Sequence, residues 1–80
     1  MKAKNQIFEI HTDKGEWAKL NLKDECWEYQ EDLNDEETYY EGEIIIEDGV
    51  IIDYDGCFEL PQLIQDIIKR NNIENDLLLD

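Results

Sequence analysis

The stretch that decides the fold is residues 39–54, YYEGEIIIEDGVIIDY, in which two runs of strand-forming residues flank the dipeptide Asp48-Gly49. Asp-Gly between β-branched runs is a strong signal for a two-residue hairpin turn, because both turn residues adopt positive φ angles there. The pattern therefore predicts an antiparallel hairpin whose strands are residues 39–47 and 50–54.

The length of the turn also predicts the register of this hairpin. Counted outward from the turn, the predicted cross-strand pairs are Ile46–Ile51, Ile45–Ile52 and Ile44–Asp53. Isoleucine then occurs on both faces of the hairpin, which is typical of strands that are covered on both sides. We therefore expect the hairpin to lie centrally in the sheet or to be covered on both faces.

Shorter alternating runs predict further strands nearer the N-terminus. Residues 6–12 and 17–22 both alternate apolar and polar side chains, and the turn-forming residues 13–15 lie between them, so a second hairpin is expected. The next segment, residues 23–38, fits both a helix and a strand. We favour a short strand at residues 25–30, followed by an acidic loop.

The last third of the chain predicts one helix that begins at Pro61. Proline suits the first helical position because its missing N–H has no partner within the helix there. The apolar residues recur at helical spacing and form one stripe: Leu60, Leu63, Ile64, Ile67 and Ile68. Such a stripe must be buried, and the sheet is the surface available to it. The sequence thus predicts one small acidic α+β domain over residues 1–80, an antiparallel meander of four to five strands with one C-terminal helix packed on a face.

Two local features are open in the sequence. The apolar tail at residues 77–79 either docks on the fold or forms a short exposed motif, and docking is favoured because exposed apolar patches carry an aggregation risk. Cys26 and Cys57 are expected to be free thiols that fill the core of a cytosolic protein, with a bridge open if their strands are adjacent.

Charge is distributed unevenly along the chain, which has 22 acidic and 7 basic residues and a formal net charge of −15. Residues 24–59 contain fifteen acidic residues and no lysine or arginine. A surface that serves only solubility usually mixes both signs. The segment therefore indicates a basic partner; it argues against direct nucleic-acid binding, which needs a basic footprint, and against an anionic membrane. The alternative is an acidic face that is merely solvated.

Aromatic side chains lie among these carboxylates, a composition typical of an interface with apolar anchors and a charged rim. The predicted charged contacts are Glu31, Asp32, Asp35, Glu36, Glu37, Glu41 and Glu43, and the predicted apolar anchors are Trp27, Tyr39 and Tyr40.

The chain offers little material for catalysis or metal binding. It contains no serine, its one histidine is His11, and its two cysteines lack zinc-site spacing. Residues 53–56, Asp-Tyr-Asp-Gly after an apolar strand, resemble the first motif of the haloacid-dehalogenase-like phosphotransferases. That resemblance implies Asp53 as nucleophile and Asp55 as general acid/base, but Cys57 replaces the family's threonine and the strand here leaves a hairpin. We predict no catalytic residues, no cofactor and no metal.

In size, charge and element order the chain resembles the small phage-encoded DNA mimics: anti-CRISPR proteins, anti-restriction proteins and uracil-DNA glycosylase inhibitors. The resemblance implies a stoichiometric inhibitor that occupies the basic nucleic-acid-binding cleft of a bacterial defence or DNA-processing protein, such as a CRISPR effector or a nuclease. Since no sequence motif supports this resemblance, no functional residue is assigned from it. With no secretory or membrane-spanning segment visible, we expect the host cytoplasm. The alternative is a non-enzymatic adaptor or immunity-type protein that binds a basic partner without displacing nucleic acid.

Overall fold

The computed structural model describes residues 5–57 and 59–78 and confirms the α+β meander. Five antiparallel strands follow one another in the order β1-β2-β3-β4-β5, and one helix packs against the sheet. The elements are β1 (Ile7–His11), β2 (Trp17–Asn21), β3 (Cys26–Gln30), β4 (Tyr39–Glu47), β5 (Val50–Tyr54) and α1 (Gln62–Arg70). The ambiguous segment is thus a strand followed by a loop, which ends in a 3₁₀ turn at Glu36–Thr38.

The nine-residue strand β4 is shared between two neighbours. Its first half pairs with β3 and its second half with β5. Asp48 and Gly49 have φ angles of 53° and 79°, as the Asp-Gly turn predicts. Because each half of β4 has a different partner, β5 lies beside the second half of β4, beyond the end of β3.

The predicted register of the β4–β5 hairpin is right for the first pair and wrong beyond it. Ile46 pairs with Ile51, but a bulge then makes Ile45 pair with Asp53 and Ile44 with Tyr54. The predicted pairs Ile45–Ile52 and Ile44–Asp53 are therefore wrong by one residue. The physical reason is burial: the predicted register would set a carboxylate beside the buried Ile44, whereas the bulge sets Tyr54 there and turns Asp53 outward.

One apolar core lies between the sheet and α1. The sheet contributes the side chains Ala18, Leu20, Trp27, Ile44 and Ile51, and the predicted helical stripe contributes Leu60, Ile64, Ile67 and Ile68. Leu63, Leu77 and Leu78 are partly buried against this core. The expectation that the tail docks is confirmed for Leu77 and Leu78, and Leu79 lies outside the described residues.

The chain reaches the helix by crossing over β4 at Gly42. After β5 the Asp55 N–H donates to the Glu43 carbonyl at 2.9 Å, and the Trp27 indole N–H donates to the Asp55 carbonyl at 3.0 Å. A Cβ atom at Gly42 would overlap that Asp55 carbonyl and lie 2.7 Å from Trp27 Nε1. Gly56, at a φ of +98°, is packed against Gly42 in the same crossing. Glycine is needed here because two backbone segments touch.

The C-terminal segment returns to the sheet after α1. The helix ends at Asn71 and Asn72, where the Asn71 side-chain amide donates to the Ile67 carbonyl at 2.9 Å and Asn72 has a φ of 52°. The Ile51 N–H then donates to the Glu74 carbonyl at 3.0 Å, and the Asp76 N–H donates to the Ile51 carbonyl at 2.8 Å. This bridge lies along the outer edge of β5. Over residues 5–57 and 59–78, no helix has the length and apolarity that crossing a membrane requires.

Candidate partner-binding surface

The sheet has a second face, opposite α1, that carries the acidic strand residues. We call it the open face. Strand alternation and register give its members as Ile7, Glu9, His11, Trp17, Lys19, Asn21, Cys26, Glu28, Gln30, Tyr39, Glu41, Glu43, Ile45, Glu47, Val50, Ile52 and Asp53. Because α1 packs on the other face of β1, β2 and β3, these side chains point away from the core.

The open face becomes more acidic from β1 towards β4. The register aligns Glu9, Lys19, Glu28 and Glu41 as one row across four strands. Lys19 therefore lies between Glu9 and Glu28, although the sequence places it outside the acidic segment. Further along, β4 and β5 carry only acidic charges on this face, since residues 24–59 contain no lysine or arginine. The anionic part of the open face is its β3–β4–β5 half.

Tyr39 fixes a carboxylate on this anionic half. Its hydroxyl donates to Glu41 Oε2 at 3.0 Å. Burial, together with the hydrogen bonds and charges of Glu41 and Glu28, raises the pKa of Tyr39 well above its ordinary value. A tyrosine is already neutral at physiological pH, and the raised pKa extends to higher pH the range over which this phenol donates to Glu41.

The loop of residues 31–38, which we call the acidic loop, is held together by its own polar groups. The Asp32 N–H donates to Thr38 Oγ1 at 3.0 Å, and that hydroxyl donates to the Asp35 carbonyl at 2.7 Å. One carboxylate oxygen each of Asp32 and Asp35 accepts a backbone N–H, from Asn34 and Glu37 respectively. Asp32 and Asp35, both predicted contact residues, therefore stabilise the conformation of the loop as well as contributing to its negative charge.

The acidic loop lies at the end of the open face. Gln30, the last residue of β3, donates through its side chain to the Asp32 carbonyl at 3.0 Å and to the Asp35 carbonyl at 3.2 Å. The loop is also tied to the first hairpin, because the Leu33 N–H donates to the Gly15 carbonyl at 3.0 Å. Its remaining acidic side chains, Glu31, Glu36 and Glu37, are exposed. The acidic loop thus adjoins the end of the open face at which Gln30 lies.

The structure separates the three predicted apolar anchors. Trp27 is fully buried beneath α1, so its predicted role as a surface anchor is wrong. Tyr39 lies on the open face, whereas Tyr40 lies on the helix side, where its ring stacks on Tyr29 at 6.2 Å and an interplanar angle of 18°. Only Tyr39 accompanies the predicted charged contacts Glu41 and Glu43, because neighbours on a strand point to opposite faces.

Two exposed isoleucines were missed by the sequence argument. Ile45 is 44% exposed on the open face, and Ile52, the extra residue of the bulge, is 37% exposed. The expectation that this hairpin lies centrally in the sheet or is covered on both faces is therefore wrong, because β5 is the last strand in the sheet order and the open face is exposed. A signal was present in the alternation: Glu43 and Glu47 flank Ile45 at two-residue spacing, so all three share a face, and charged neighbours mark that face as exposed.

The acidic segment does not form a single plate. Five of its acids lie on the open face, at Glu28, Glu41, Glu43, Glu47 and Asp53, and five lie in the acidic loop, at Glu31, Asp32, Asp35, Glu36 and Glu37. The other five lie in the turns before β3 and β5 and along the crossing to α1, at Asp24, Glu25, Asp48, Asp55 and Glu59.

The surroundings of the two cysteine side chains favour their protonated thiol form. Cys26 and Cys57 are unbridged, and Cys57 packs on the core while Cys26 lies on the open face, contrary to the expectation that both fill the core. Burial raises the pKa of both thiols, and nearby carboxylates add to it, Asp24 first for Cys26 and Asp55 for Cys57. The described residues contain no group of three or more His, Cys, Asp or Glu side chains placed to hold a metal ion.

Comparison with known proteins adds no family or relative. No protein-family model, no curated protein and no solved structure matches this chain. The functional argument therefore depends on the geometry of the open face and the acidic loop.

Proposed function

We propose that the protein is a stoichiometric, non-enzymatic inhibitor that occupies the basic nucleic-acid-binding cleft of a bacterial defence or DNA-processing protein. The observation that carries the proposal is the concentration of ten carboxylates of residues 24–59 on the open face and in the acidic loop that adjoins it. Some of these carboxylates stand on regular strands, where the Tyr39 hydroxyl donates a hydrogen bond to Glu41. The others stand on a loop that is closed by internal hydrogen bonds.

The spacing of these carboxylates supports the proposal. Residues two apart on a strand share a face and recur at about 6.8 Å, and neighbouring strands lie about 4.8 Å apart. Phosphates on one strand of DNA recur at about 3.4 Å along the helix axis. Along β4, Glu41 and Glu43 are therefore separated by about twice the axial rise between phosphates. A cleft lined with lysine and arginine at phosphate spacing could engage both carboxylates.

The net charge supports rapid capture of such a partner. A charge of −15 on 80 residues steers association with a cationic groove, and this steering weakens as salt screens it. Occupancy of the cleft by carboxylates would exclude nucleic acid competitively, without any covalent step. The resemblance to phage-encoded DNA mimics is consistent with this mode of action and with a bacterial host.

The first test is competition. Proteins captured from a bacterial lysate by the immobilised chain are challenged with excess duplex DNA or RNA at low and at moderate salt. Nucleic acid should displace the captured partner, and binding should weaken as salt rises. A partner that neither DNA nor RNA can displace, or one whose binding is insensitive to salt, would show that the mimicry proposal is wrong.

The second test uses matched charge reversals. Glu36→Lys, in the acidic loop, should slow association with the captured partner several-fold and change its release much less, because exposed charges act mainly on the encounter. Glu59→Lys changes the net charge equally but lies after β5 on the route to α1, so it should slow association less. Equal effects of the two variants would contradict a localised binding surface.

A second candidate function is favoured by the exposed isoleucines. Ile45 and Ile52 offer apolar area on the open face, and mimicry of a phosphate backbone does not require it. An adaptor or immunity-type protein that binds a basic partner away from its nucleic-acid cleft would use such area. The competition experiment separates the two, because only the inhibitor is displaced by nucleic acid.

A further inference from the structure

We propose that Ile45 and Ile52, with Glu43, Glu47 and Asp53 around them, form a docking site for a basic amphipathic segment of the partner, in which apolar side chains alternate with lysine or arginine. We call these five residues the hairpin patch. The inference rests on the proposed function and deepens it, because it names the part of the open face that supplies apolar contact and the chemistry that it selects.

The bulge in β5 creates the hairpin patch. It keeps Ile44 and Tyr54 paired on the core side and leaves Ile45 opposite Asp53 on the open face. Ile52 and Asp53 together oppose Ile45 across the bulge, and Ile52 is 37% exposed. A partner that covered both isoleucines would remove their remaining apolar area from water, which is the main source of affinity in most protein interfaces.

The charges around the isoleucines specify a cationic occupant. Glu43 and Glu47 flank Ile45 along β4, Asp53 lies opposite it on β5, and neither strand contains a lysine or arginine. Lysine and arginine can lay their aliphatic stems on apolar surface while their charged ends reach a carboxylate. A segment that combines apolar and basic side chains therefore satisfies both components of the patch.

Two other occupants fit less well. The chain's own segment at residues 74–76 lies along the outer edge of β5, and Leu77 and Leu78 pack towards the core instead of the open face. A second copy would bring three carboxylates against three carboxylates, between molecules that each carry a charge of −15. Charge complementarity leaves a basic partner as the occupant.

The test uses two synthetic peptides of equal length and equal lysine content as probes. One is an amphipathic peptide of leucine and lysine, and the other has serine in place of every leucine. The protein carries labelled isoleucine methyl groups, so that NMR reports on each isoleucine separately. The leucine peptide should bind about ten-fold more tightly than the serine peptide and should shift the Ile45 and Ile52 methyl signals, while the buried Ile64 signal stays in place.

Paired variants decide whether the hairpin patch is responsible. The double variant Ile45→Thr, Ile52→Thr keeps β-branched residues in the strands and should abolish the preference for the leucine peptide. Ile7→Thr, at a position 50% exposed on the open face in β1, is the matched control and should preserve it. Equal binding of the two peptides, or a preference that survives the double variant, would overturn the inference. An unchanged Ile64 signal verifies the fold of each variant.

The outcome is separable from that of the proposed function. If the preference for the leucine peptide depends on Ile45 and Ile52 but nucleic acid cannot displace the captured partner, the docking site is supported and the inhibitor is rejected. If nucleic acid displaces the partner but the double variant still prefers the leucine peptide, the inhibitor is supported and the docking site is rejected.

Discussion

The two faces of the same sheet differ sharply although the same strands supply both. On the core face Trp27 is fully buried beneath α1 and bonded to the Asp55 carbonyl, whereas Trp17 lies on the open face. Tyr39 and Tyr40 are likewise neighbours in the chain and occupy opposite faces. The comparison teaches that residue type does not decide burial here. A strand side chain is buried when it lies on the face that α1 covers, and the chain reaches that face by crossing β4 at Gly42.

The largest expected effect tests the crossing that makes the core face. Gly42→Ala would push a Cβ atom into the Asp55 carbonyl and the Trp27 indole. We expect this variant to lose roughly 3 kcal/mol of unfolding free energy, within the range of the strongest single substitutions, because backbone and ring must both move. The measurement is urea unfolding followed by the fluorescence of the tryptophans.

Gly15→Ala is the control for the crossing. Gly15 has a φ of +87°, and the nearest atom to an added Cβ is 3.9 Å away, so only backbone strain opposes the substitution. We expect a cost of roughly 1 kcal/mol from the positive φ alone. If the two variants lose the same stability, close packing at Gly42 does not determine the position of the helix.

An intermediate effect, of opposite sign, is expected on the open face. Glu28 lies directly opposite Glu41 on neighbouring strands, and like charges in that arrangement destabilise a sheet. Lys19 lies opposite Glu28 on its other side, so the variant that relieves this repulsion without losing an opposite charge is Glu41→Gln. Glu41→Gln should raise the unfolding free energy by roughly 0.5 kcal/mol at low salt, and the gain should shrink as salt screens the repulsion. Urea unfolding at both salt concentrations measures it.

Glu59→Gln removes the same charge without a carboxylate opposite it on a strand, and it should change stability less. A loss of stability in Glu41→Gln would mean that this carboxylate contributes more through its hydrogen bond from Tyr39 than it costs through repulsion. The open face would then be stabilised by its acids instead of strained by them.

The last effect appears only at alkaline pH and again separates the faces. Burial, with the hydrogen bond to Glu16, raises the pKa of Tyr29 from 10.0 to about 12. Since the folded pKa exceeds the unfolded one, the folded chain binds more protons between these values, and its stability should fall as the pH rises from 10 towards 12. The phenolate absorbance of the folded protein should show this late titration.

The matched variant for this titration is Tyr29→Phe, which removes the hydroxyl that donates to Glu16 at 3.0 Å. Its stability should depend less on pH over the same interval, and its absorbance should lack one late-titrating phenol. A variant whose stability falls as steeply as that of the parent would show that the alkaline transition belongs to another group, with Tyr39 on the open face as the next to examine.

Much of the fold followed from local patterns because those patterns have local causes. The Asp48-Gly49 turn, the alternating runs and the helical stripe predicted four to five strands and one helix, and the five strands and the helix lie at nearly the expected bounds. The candidate surface was predictable in part: the acidic loop and the outward side of β4 follow from charge and alternation. Trp27 could not be excluded as an anchor. It shares one face of an alternating strand with Tyr29, and the residues of that strand do not indicate which face α1 covers.

By itself the sequence determined the elements, their antiparallel order and the concentration of negative charge in residues 24–59, because turn conformation, side-chain period and charge are properties of neighbouring residues. Only the tertiary structure decided the bulge that turns Asp53 and Ile45 outward, the placement of Lys19 between two glutamates and the burial of Trp27. These depend on strand register and on the crossing at Gly42, where residues far apart in the chain compete for the same space.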